Sequence, residues 1–219
     1  MTVVTKRQWI GLLGGTFDPI HFGHIKPALE VKQQLGLDEV WLMPNAIPPH
    51  KASSITDAAH RLAMVQAVCD TTPGLKLCDI ELQLAADGAP SYSVTTLTEL
   101  RQRFPLCDFV FLMGMDSLQN LPSWHAWQQL LTLCQFAVCT RPGWQPDRAQ
   151  LPKVINQAIV AQLTQGIAGQ IQLLDVTPRP CSSTAIRQAM KIGNLPADML
   201  PKEVLDYIRL HGLYQASPR

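Results

Sequence analysis

Short apolar runs alternate along this chain with segments in which apolar residues recur at helical spacing. The runs are rich in β-branched and bulky residues, which is typical of buried strands. They predict strands at residues 9–13, 39–43, 76–80, 109–113, 136–140 and 170–174. The segments between them predict helices near residues 24–35, 58–69, 94–104, 124–133 and 153–165. This alternation indicates an α/β protein with a doubly wound, mainly parallel sheet.

Residues with cap chemistry lie at several of the predicted helix ends. Gly36 suits the left-handed position that follows a helix, and Asp57 and Ser93 are candidate N-caps. These positions predict where three of the helices begin or end.

The pattern changes after residue 177, where two helix signatures follow and no further strand is predicted. Ser182 and Ser183 are candidate caps for the first helix, with Gly193 beyond its end. Pro201 is predicted at the first position of the second helix, which Gly212 ends. We therefore expect a single domain over 1–219, with a core at 1–177 and a small helical C-terminal subdomain at 178–219.

Composition narrows the class of partner. The chain has 219 residues, of which 47% are apolar and 16% charged, so it can build a full core and is not disordered. The net charge of +1 lacks the basic excess of nucleic-acid or membrane-surface proteins, and no apolar run approaches the ~18 residues of a membrane helix. We expect a small anionic ligand, no nucleic-acid partner and no membrane partner. The oligomeric state is left open.

Cysteine usage indicates neither a metal site nor a redox dithiol. The six cysteines include no C-x-x-C pair and have no histidine at zinc-finger spacing. Gly14, Gly15 and Asp18 interrupt the first apolar run before it reaches the length of a secretion signal. Reduced thiols and a cytoplasmic location are therefore expected.

The most informative stretch is G-G-T-F-D-P-I-H-F-G-H at residues 14–24, directly after the first predicted strand. Two glycines allow a sharp turn and a close backbone approach to a ligand. The chain then enters a helix whose free N–H groups and dipole favour an anion. The junction is therefore a candidate phosphate site.

His21 and His24 are three residues apart, so on one helical turn their imidazoles share a face. Both can donate hydrogen bonds to phosphate oxygens and gain charge as negative charge builds there. Gly23 between them leaves that face open. His60, His125 and His211 lack such neighbours and are expected to be ordinary core or surface residues.

These residues resemble the H-x-G-H signature of the nucleotidyltransferase superfamily. Its members transfer a nucleoside monophosphate from a nucleoside triphosphate and release pyrophosphate. The resemblance implies a Rossmann-like sheet with ATP above the carboxyl ends of its strands. Neither a G-x-G-x-x-G fingerprint nor a Walker A loop is present.

S-S-T-A-I-R at residues 182–187 resembles the S-S-T-x-I-R signature of the pyridine-nucleotide adenylyltransferases. Alone it is a good N-cap followed by a helix-face arginine. The resemblance implies that its hydroxyls, helix N–H groups and Arg187 grip the ATP phosphates, with Arg187 neutralising the departing pyrophosphate. His21, His24 and Arg187 are thus the predicted catalytic residues. The predicted ATP contacts are Gly14, Gly15, Thr16, Phe17, Gly23, Gly114, Asp116, Arg141, Ser182, Ser183 and Thr184.

Further segments resemble the bacterial nicotinate-nucleotide adenylyltransferase family. They are P-N and P-P-H-K after the second strand, G-x-D after the fourth, R-P-G after the fifth, and S-Y-S at residues 91–93. In place of S-Y-S the family often has S-Y-T. Backbone amides of that segment bind the pyridine carboxylate, while a tryptophan stacks on the ring. The resemblance implies nicotinate mononucleotide contacts at Asp18, Asn45, His50, Lys51, Tyr92, Ser93 and Trp124.

The implied reaction needs no catalytic base, because a phosphate monoester has its second pKa near 6 and is largely ionised at neutral pH. The nicotinate mononucleotide phosphate would attack the ATP α-phosphorus in line, and pyrophosphate would leave. Mg²⁺ is the expected cofactor, bound by phosphates and water, since no carboxylate cage is evident.

Other members of the superfamily remain alternatives. A phosphopantetheine adenylyltransferase or a cytidylyltransferase shares the first motif, and nicotinamide mononucleotide is an alternative acceptor. From a different class, the chain could be a non-catalytic nucleotide-binding sensor or a tRNA-interacting relative of class I synthetases.

Overall fold

A computed structural model describes residues 6–46, 56–86, 92–141, 143, 150–194 and 196–215. Its sheet has six strands in the order β3-β2-β1-β4-β5-β6, and every neighbouring pair is parallel. The strands are β1 (Gln8–Gly15), β2 (Glu39–Pro44), β3 (Leu75–Leu77), β4 (Cys107–Gly114), β5 (Gln135–Thr140) and β6 (Ile171–Asp175).

Helices connect and cover these strands. Those described are α1 (Phe22–Leu35), α2 (Ala58–Thr71), α3 (Ile80–Ala85), α4 (Ser93–Arg103), α5 (Met115–Asn120), α6 (Trp127–Leu133), α7 (Lys153–Ala158), α8 (Ser183–Lys191) and α9 (Lys202–Leu210). The strand order reverses between β1 and β4, as in Rossmann folds. The predicted α/β, doubly wound fold class is confirmed.

The sheet buries both faces, as the apolar strands predict. In β2, Val40 and Leu42 pack into a core shared with α1, α2, α8 and α9. Trp41 and Met43 point to the other face and pack with residues of α3 to α7. Helices α8 and α9 thus share one core with α1 and α2. The subdomain boundary proposed at residue 178 stays a prediction.

The carboxyl ends of the strands align along one edge of the sheet. Gly15 of β1 pairs in register with Pro44 of β2, and Gly114 of β4 pairs with Cys139 of β5. In open parallel sheets, ligands bind outside the carboxyl ends, where the strand order reverses. The fold therefore places the glycine turn after β1 at the expected ligand position.

Three predicted helix caps are confirmed. Gly36 has φ 70 and ends α1, and the Asp57 carboxylate accepts a hydrogen bond from the Ala59 N–H at 2.8 Å. The Ser182 hydroxyl accepts one from the Ala185 N–H at 3.1 Å and begins α8.

Two other predicted positions are one residue off. Tyr92, not Ser93, is the N-cap of α4, and Ser93 is the first helical residue. Pro201 is the N-cap of α9 rather than its first residue. Helix α4 therefore begins one residue earlier than the sequence predicts, and α9 begins one residue later.

Two predicted elements are too long. The third strand ends at Leu77, and Ile80 begins α3 because the Asp79 carbonyl accepts hydrogen bonds from two N–H groups of that helix. The helix predicted at 153–165 ends at Ala158, since Ile159 forms a parallel bridge with Ile171. Edge pairing with β6 replaces the last helical turns.

Candidate active site

The turn after β1 places the glycine motif beside a buried aromatic ring. A Cβ atom at Gly15 would lie 3.0 Å from the Phe17 ring, so a larger residue there would press on that ring. Phe17 itself has φ 50, in the left-handed region, and its side chain is buried. Its ring meets His24 edge-on, with centroids 5.1 Å apart. The residue as a whole is 1% exposed, so the ATP contact at Phe17 stays a prediction.

The two motif histidines stack on each other, as their spacing predicts. Their ring centroids are 3.8 Å apart and the planes differ by 27°. His21 is the N-cap of α1 and His24 lies in its first turn. The pair forms one compact imidazole stack at the start of the helix.

Hydrogen bonds to the backbone select one tautomer of each ring. His21 Nδ1 accepts from the Gly23 N–H at 3.0 Å, and the His21 N–H faces His24 Nδ1 at 3.4 Å. A ring nitrogen that accepts a hydrogen bond carries no proton, so in both neutral rings the proton lies on Nε2. Both histidines are thereby prepared as Nε2–H donors.

Burial keeps both imidazoles neutral. It lowers the pKa of His21 from 6.5 to about 4. The pKa of His24 falls to about 3, through burial first and the nearby His21 second. At neutral pH the pair therefore donates hydrogen bonds without carrying a full charge.

The prediction that α1 offers free N–H groups to an anion is wrong. The Phe22 N–H donates to the Met199 carbonyl at 3.0 Å, and the Gly23 N–H donates to His21. The His24 N–H donates to the His21 carbonyl at 2.9 Å. Because the protein occupies these amides, the imidazoles are the donors that this turn presents.

The second motif packs directly against the first. The Ser183 hydroxyl donates to the Pro19 carbonyl at 3.1 Å, and Arg187 Nη1 donates to the Asp18 carbonyl at 2.5 Å. A Cβ atom at Gly23 would lie 3.1 Å from the Cys181 Cβ and 2.9 Å from the His21 ring. Residues separated by most of the chain thus meet around one turn.

Asp18 lies at the centre of this contact. Its carboxylate accepts a hydrogen bond from the Tyr214 hydroxyl at 2.6 Å and faces the Thr56 N–H at 3.4 Å. Arg187 Nη1 lies 3.8 Å from the second carboxylate oxygen. Asp18 is only 3% exposed, so these neighbours enclose it.

The N-terminus of α8 supplies amides that α1 does not. Within the described ranges, the backbone N–H groups of Ser183 and Thr184 have no hydrogen-bond acceptor. The Thr184 hydroxyl lies 3.4 Å from Arg187 Nη2. Free amides, a hydroxyl and a guanidinium here favour an anion.

Arg61 is a buried residue that sequence reasoning missed. Its guanidinium donates to the carbonyls of Thr16, Ala46 and Thr56 at 2.8, 3.1 and 3.1 Å. It thus joins the glycine turn to the segment after β2 and to the start of α2. Burial lowers its pKa, which nearby Asp18 opposes.

A cavity of about 370 Å³ opens at the carboxyl ends of β4, β5 and β6. Asp116 and Arg141, both predicted ATP contacts, line it, together with Arg179, which the sequence did not single out. A Cβ atom at Gly114 would meet nothing within 4 Å, so the protein's own packing does not require glycine there. The volume falls in the range of small-ligand sites.

The residues predicted to contact nicotinate mononucleotide lie on separate segments of the described structure. Asn45 is next to the glycine turn, since its N–H donates to the Gly15 carbonyl at 2.9 Å. Trp124 meets the Phe111 ring of β4 edge-on, with centroids 6.0 Å apart. His50 and Lys51 lie outside the described residues.

The start of α4 adjoins the Trp124 segment. Tyr92 is 38% exposed and stacks on His125, with centroids 4.3 Å apart. His125 was expected to be an ordinary residue, and no sequence signal marks it as a partner of Tyr92. In the part of the chain that the structure covers, the N–H groups of Ser93 and Val94 have no acceptor.

The donor set does not form a metal cage. In the described ranges, no three His, Cys, Asp or Glu side chains group together as ion ligands. Asp18 is enclosed by donors and Asp116 is exposed beside the cavity. This arrangement fits a metal ion held mainly by phosphate oxygens and water.

A parallel sheet with a histidine pair, a helix N-terminus and an arginine at its switch point defines a nucleotidyltransferase class of α/β protein. A sequence profile described as cytidylyltransferase-like matches residues 12–189. The chain is 48% identical over 209 residues to a protein of Shewanella pealeana described as a probable nicotinate-nucleotide adenylyltransferase, covering 94% of this chain and 95% of that one. A relative of the same description from Shewanella frigidimarina is 48% identical over 212 residues, covering 94% and 99%.

Solved structures share the fold at low identity. The Plasmodium falciparum nicotinic acid mononucleotide adenylyltransferase complexed with NaAD aligns with a TM-score of 0.71 at 19% identity, covering 94% of this chain and 97% of that one. At this identity the likeness establishes the fold alone. The profile match and the sequence relatives establish more: the chain belongs to the nicotinate-nucleotide adenylyltransferase family.

Proposed function

We propose that this chain transfers the adenylyl group of ATP to nicotinate mononucleotide, giving nicotinate adenine dinucleotide and pyrophosphate in NAD biosynthesis. The observation that carries the proposal is the meeting of the two motifs, where Arg187 contacts the turn that holds His21 and His24. Relatives that are 48% identical over nearly their whole length are described by the same activity.

In this reaction the acceptor phosphate attacks the α-phosphorus of ATP in line. The new bond forms from a phosphate oxygen to that phosphorus, and the bond to the β-phosphate oxygen breaks. The acceptor phosphate is mostly ionised at neutral pH, so no protein group needs to remove a proton. The protein contributes positioning and charge stabilisation.

The triphosphate is proposed to lie between the histidine pair and the start of α8. His21 and His24 donate from Nε2–H, while the amides of Ser183 and Thr184 donate from the helix N-terminus. Arg187 neutralises charge on the departing pyrophosphate. The proposed contacts also include Gly14, Gly15, Thr16, Gly23 and Ser182.

The adenosine is proposed to occupy the cavity beside β4 and β5. Asp116 would accept from the ribose hydroxyls, and Arg141 lines the same space. Gly114 ends β4 without a packing need for glycine, which supports close approach of the nucleotide there.

The pyridine ring is proposed to lie between Trp124 and the start of α4. The N–H groups of Ser93 and Val94 are suited to a carboxylate, because a helix N-terminus favours negative charge. Asn45 lies beside the glycine turn, where the reacting phosphates would meet. Contacts at His50 and Lys51 remain predictions. So does a contact at Asp18, whose carboxylate is 3% exposed and surrounded by protein donors.

Mg²⁺ is proposed to enter with ATP as part of the substrate. It would neutralise phosphate charge in the transition state. The described residues offer no carboxylate cage, so His21, His24 and Arg187 would hold the phosphates with which such an ion would enter.

The proposed location is the cytoplasm. All six cysteines are free, and burial raises the pKa of Cys78 to about 11, so that thiol stays protonated. Free thiols suit a reducing compartment. Among the helices that the structure describes, none has the length and apolar character to cross a membrane.

Pyrophosphate release from ATP with a panel of acceptors tests the proposed function. We expect the highest kcat/KM with nicotinate mononucleotide, and less with nicotinamide mononucleotide or phosphopantetheine. A preference for either of these would assign a different adenylyltransferase. Binding of ATP without release with any acceptor would indicate a nucleotide sensor.

A further inference from the structure

We propose that Tyr214 is a positioning residue for adenylyl transfer: its hydroxyl fixes Asp18, and Asp18 fixes the guanidinium of Arg187. The contacts that carry this are the 2.6 Å hydrogen bond from Tyr214 to Asp18 and the 2.5 Å bond from Arg187 to the Asp18 carbonyl. The inference rests on the proposed function, because it assigns Arg187 to the triphosphate.

Asp18 is placed to transmit position rather than to bind a substrate. One carboxylate oxygen accepts from Tyr214, and the other lies between the Thr56 N–H at 3.4 Å and Arg187 Nη1 at 3.8 Å. The residue is 3% exposed. A buried carboxylate surrounded by donors stabilises their geometry, so Asp18 acts through Arg187 and does not need to contact nicotinate mononucleotide.

Part of the Arg187 guanidinium is available to bind a ligand. Nη1 is held by the Asp18 carbonyl, and Nη2 lies 3.4 Å from the Thr184 hydroxyl. The side chain is 24% exposed. A guanidinium has five N–H donors in a fixed plane, so anchoring one edge sets the direction in which the others point.

Tyr214 is itself held in an uncommon conformation. Its φ is 62, in the left-handed region that a tyrosine seldom adopts, and this follows the left-handed Gly212 (φ 60) just after α9. Such a backbone persists where the surroundings determine it strongly. Burial and the Asp18 hydrogen bond raise the pKa of Tyr214, so the phenol remains a hydrogen-bond donor at neutral pH.

The purely structural alternative is that the Tyr214 ring only fills the core beside α9. Tyr214→Phe separates the two roles, because it keeps the ring and removes the hydroxyl alone. Tyr207→Phe is the matched control. It removes a hydroxyl that bonds His60 Nδ1 at 3.0 Å, on the neighbouring turns of the same C-terminal segment and outside the proposed site.

In steady-state assays with ATP and nicotinate mononucleotide, Tyr214→Phe should lower kcat about 10-fold, as expected for losing one buried positioning hydrogen bond. KM for nicotinate mononucleotide should change less than twofold. Tyr207→Phe should retain wild-type kcat within about twofold. Wild-type kcat in Tyr214→Phe would overturn the inference.

A double-mutant cycle tests whether the effect passes through Arg187. In an Arg187→Gln background, adding Tyr214→Phe should cost less than a further twofold, because the group that it positions is gone. The same 10-fold loss in both backgrounds would overturn the inference. Asp18→Asn provides a second route if Tyr214→Phe does not fold, and it should show the same loss and the same dependence on Arg187.

Affinity for a non-hydrolysable ATP analogue separates this inference from the proposed function. If the wild type binds the analogue but does not adenylate nicotinate mononucleotide, the proposed function is wrong. The positioning role then predicts weaker analogue binding in Tyr214→Phe and unchanged binding in Tyr207→Phe. Equal binding in both variants would overturn it.

Discussion

The guanidinium of Arg187 donates a hydrogen bond to the backbone carbonyl of Asp18, a residue 169 positions earlier, at a distance of 2.5 Å. This contact joins the start of α8 to the turn after β1. It brings the arginine of the second motif onto the turn that leads into His21 and His24. The proposed mechanism depends on that proximity, since one triphosphate must reach both.

Removal of one imidazole should affect the transition state more than ATP binding. His24→Ala is expected to lower kcat by a factor on the order of 10²–10³, as for the loss of one donor to developing charge. KM for ATP should change much less. Steady-state pyrophosphate release measures both.

His60→Ala is the matched control for that variant, because His60 bonds Tyr207 away from the proposed site. It should keep kcat within about twofold of the wild type. Near-normal turnover in His24→Ala would remove His24 from the chemistry.

A substitution at Gly114 tests whether glycine is needed there for ATP binding or for packing of the fold. A Cβ atom there meets no protein atom within 4 Å and the backbone has φ −83, so Gly114→Ala should leave Tm within a few degrees. If the ribose lies against it, KM for ATP should rise about 10-fold or more. An unchanged KM would place the adenosine elsewhere.

Acid should destabilise the folded chain through the histidine pair. In the unfolded chain each imidazole has its ordinary pKa of 6.5, whereas the folded values are about 4 for His21 and about 3 for His24. The unfolded state therefore binds more protons as pH falls below about 6.5. The stability present above that pH is lost toward pH 4, with a slope of about 1.4 kcal/mol per pH unit for each histidine.

Urea unfolding of the wild type and of His24→Gln between pH 7 and pH 5 measures this slope. The variant lacks one of the two imidazoles, so its free energy of unfolding should fall less steeply, by about 1.4 kcal/mol per pH unit. Parallel curves would show that the pKa of His24 is the same in the folded and unfolded chain.

The backbone N–H groups at the start of α4 should make the enzyme prefer nicotinate mononucleotide, an acid, to nicotinamide mononucleotide, an amide. The free N–H groups of Ser93 and Val94 suit a carboxylate, which only accepts hydrogen bonds. The N–H groups of an amide would face these protein N–H groups, donor against donor. We expect kcat/KM for nicotinate mononucleotide to exceed that for nicotinamide mononucleotide by at least 10-fold. Equal values would contradict this source of selectivity.

Ser93→Ala refines that comparison, because it removes the hydroxyl and keeps the backbone N–H. It should retain the preference for the acid. A loss of the preference would assign the recognition to the hydroxyl instead.

The sequence predicts the sheet and the pairing of the two histidines well, because both depend on local spacing. Apolar runs give the six strands, and the i, i+3 spacing gives the stacked imidazoles of His21 and His24. The likeness to known motifs predicts that Arg187 belongs to the same site, which spacing alone would not.

The sequence does not predict which acceptor each backbone N–H group bonds to, since the acceptors can be distant in the chain. The free amides expected at α1 are taken by Met199 and His21, whereas those of α8 remain free. The buried position of Arg61 could have been predicted from one feature of the sequence. It lies at helical spacing with the buried Met64, Val65 and Val68, and a charge on an apolar stripe indicates a buried structural role.

A crystal structure with a non-hydrolysable ATP analogue would show directly whether both motifs bind one triphosphate. We expect triphosphate oxygens within about 3.2 Å of Nε2 of both His21 and His24, with the Arg187 guanidinium on the β- and γ-phosphates. A triphosphate bound away from the histidine pair, or beyond the reach of Arg187, would contradict it.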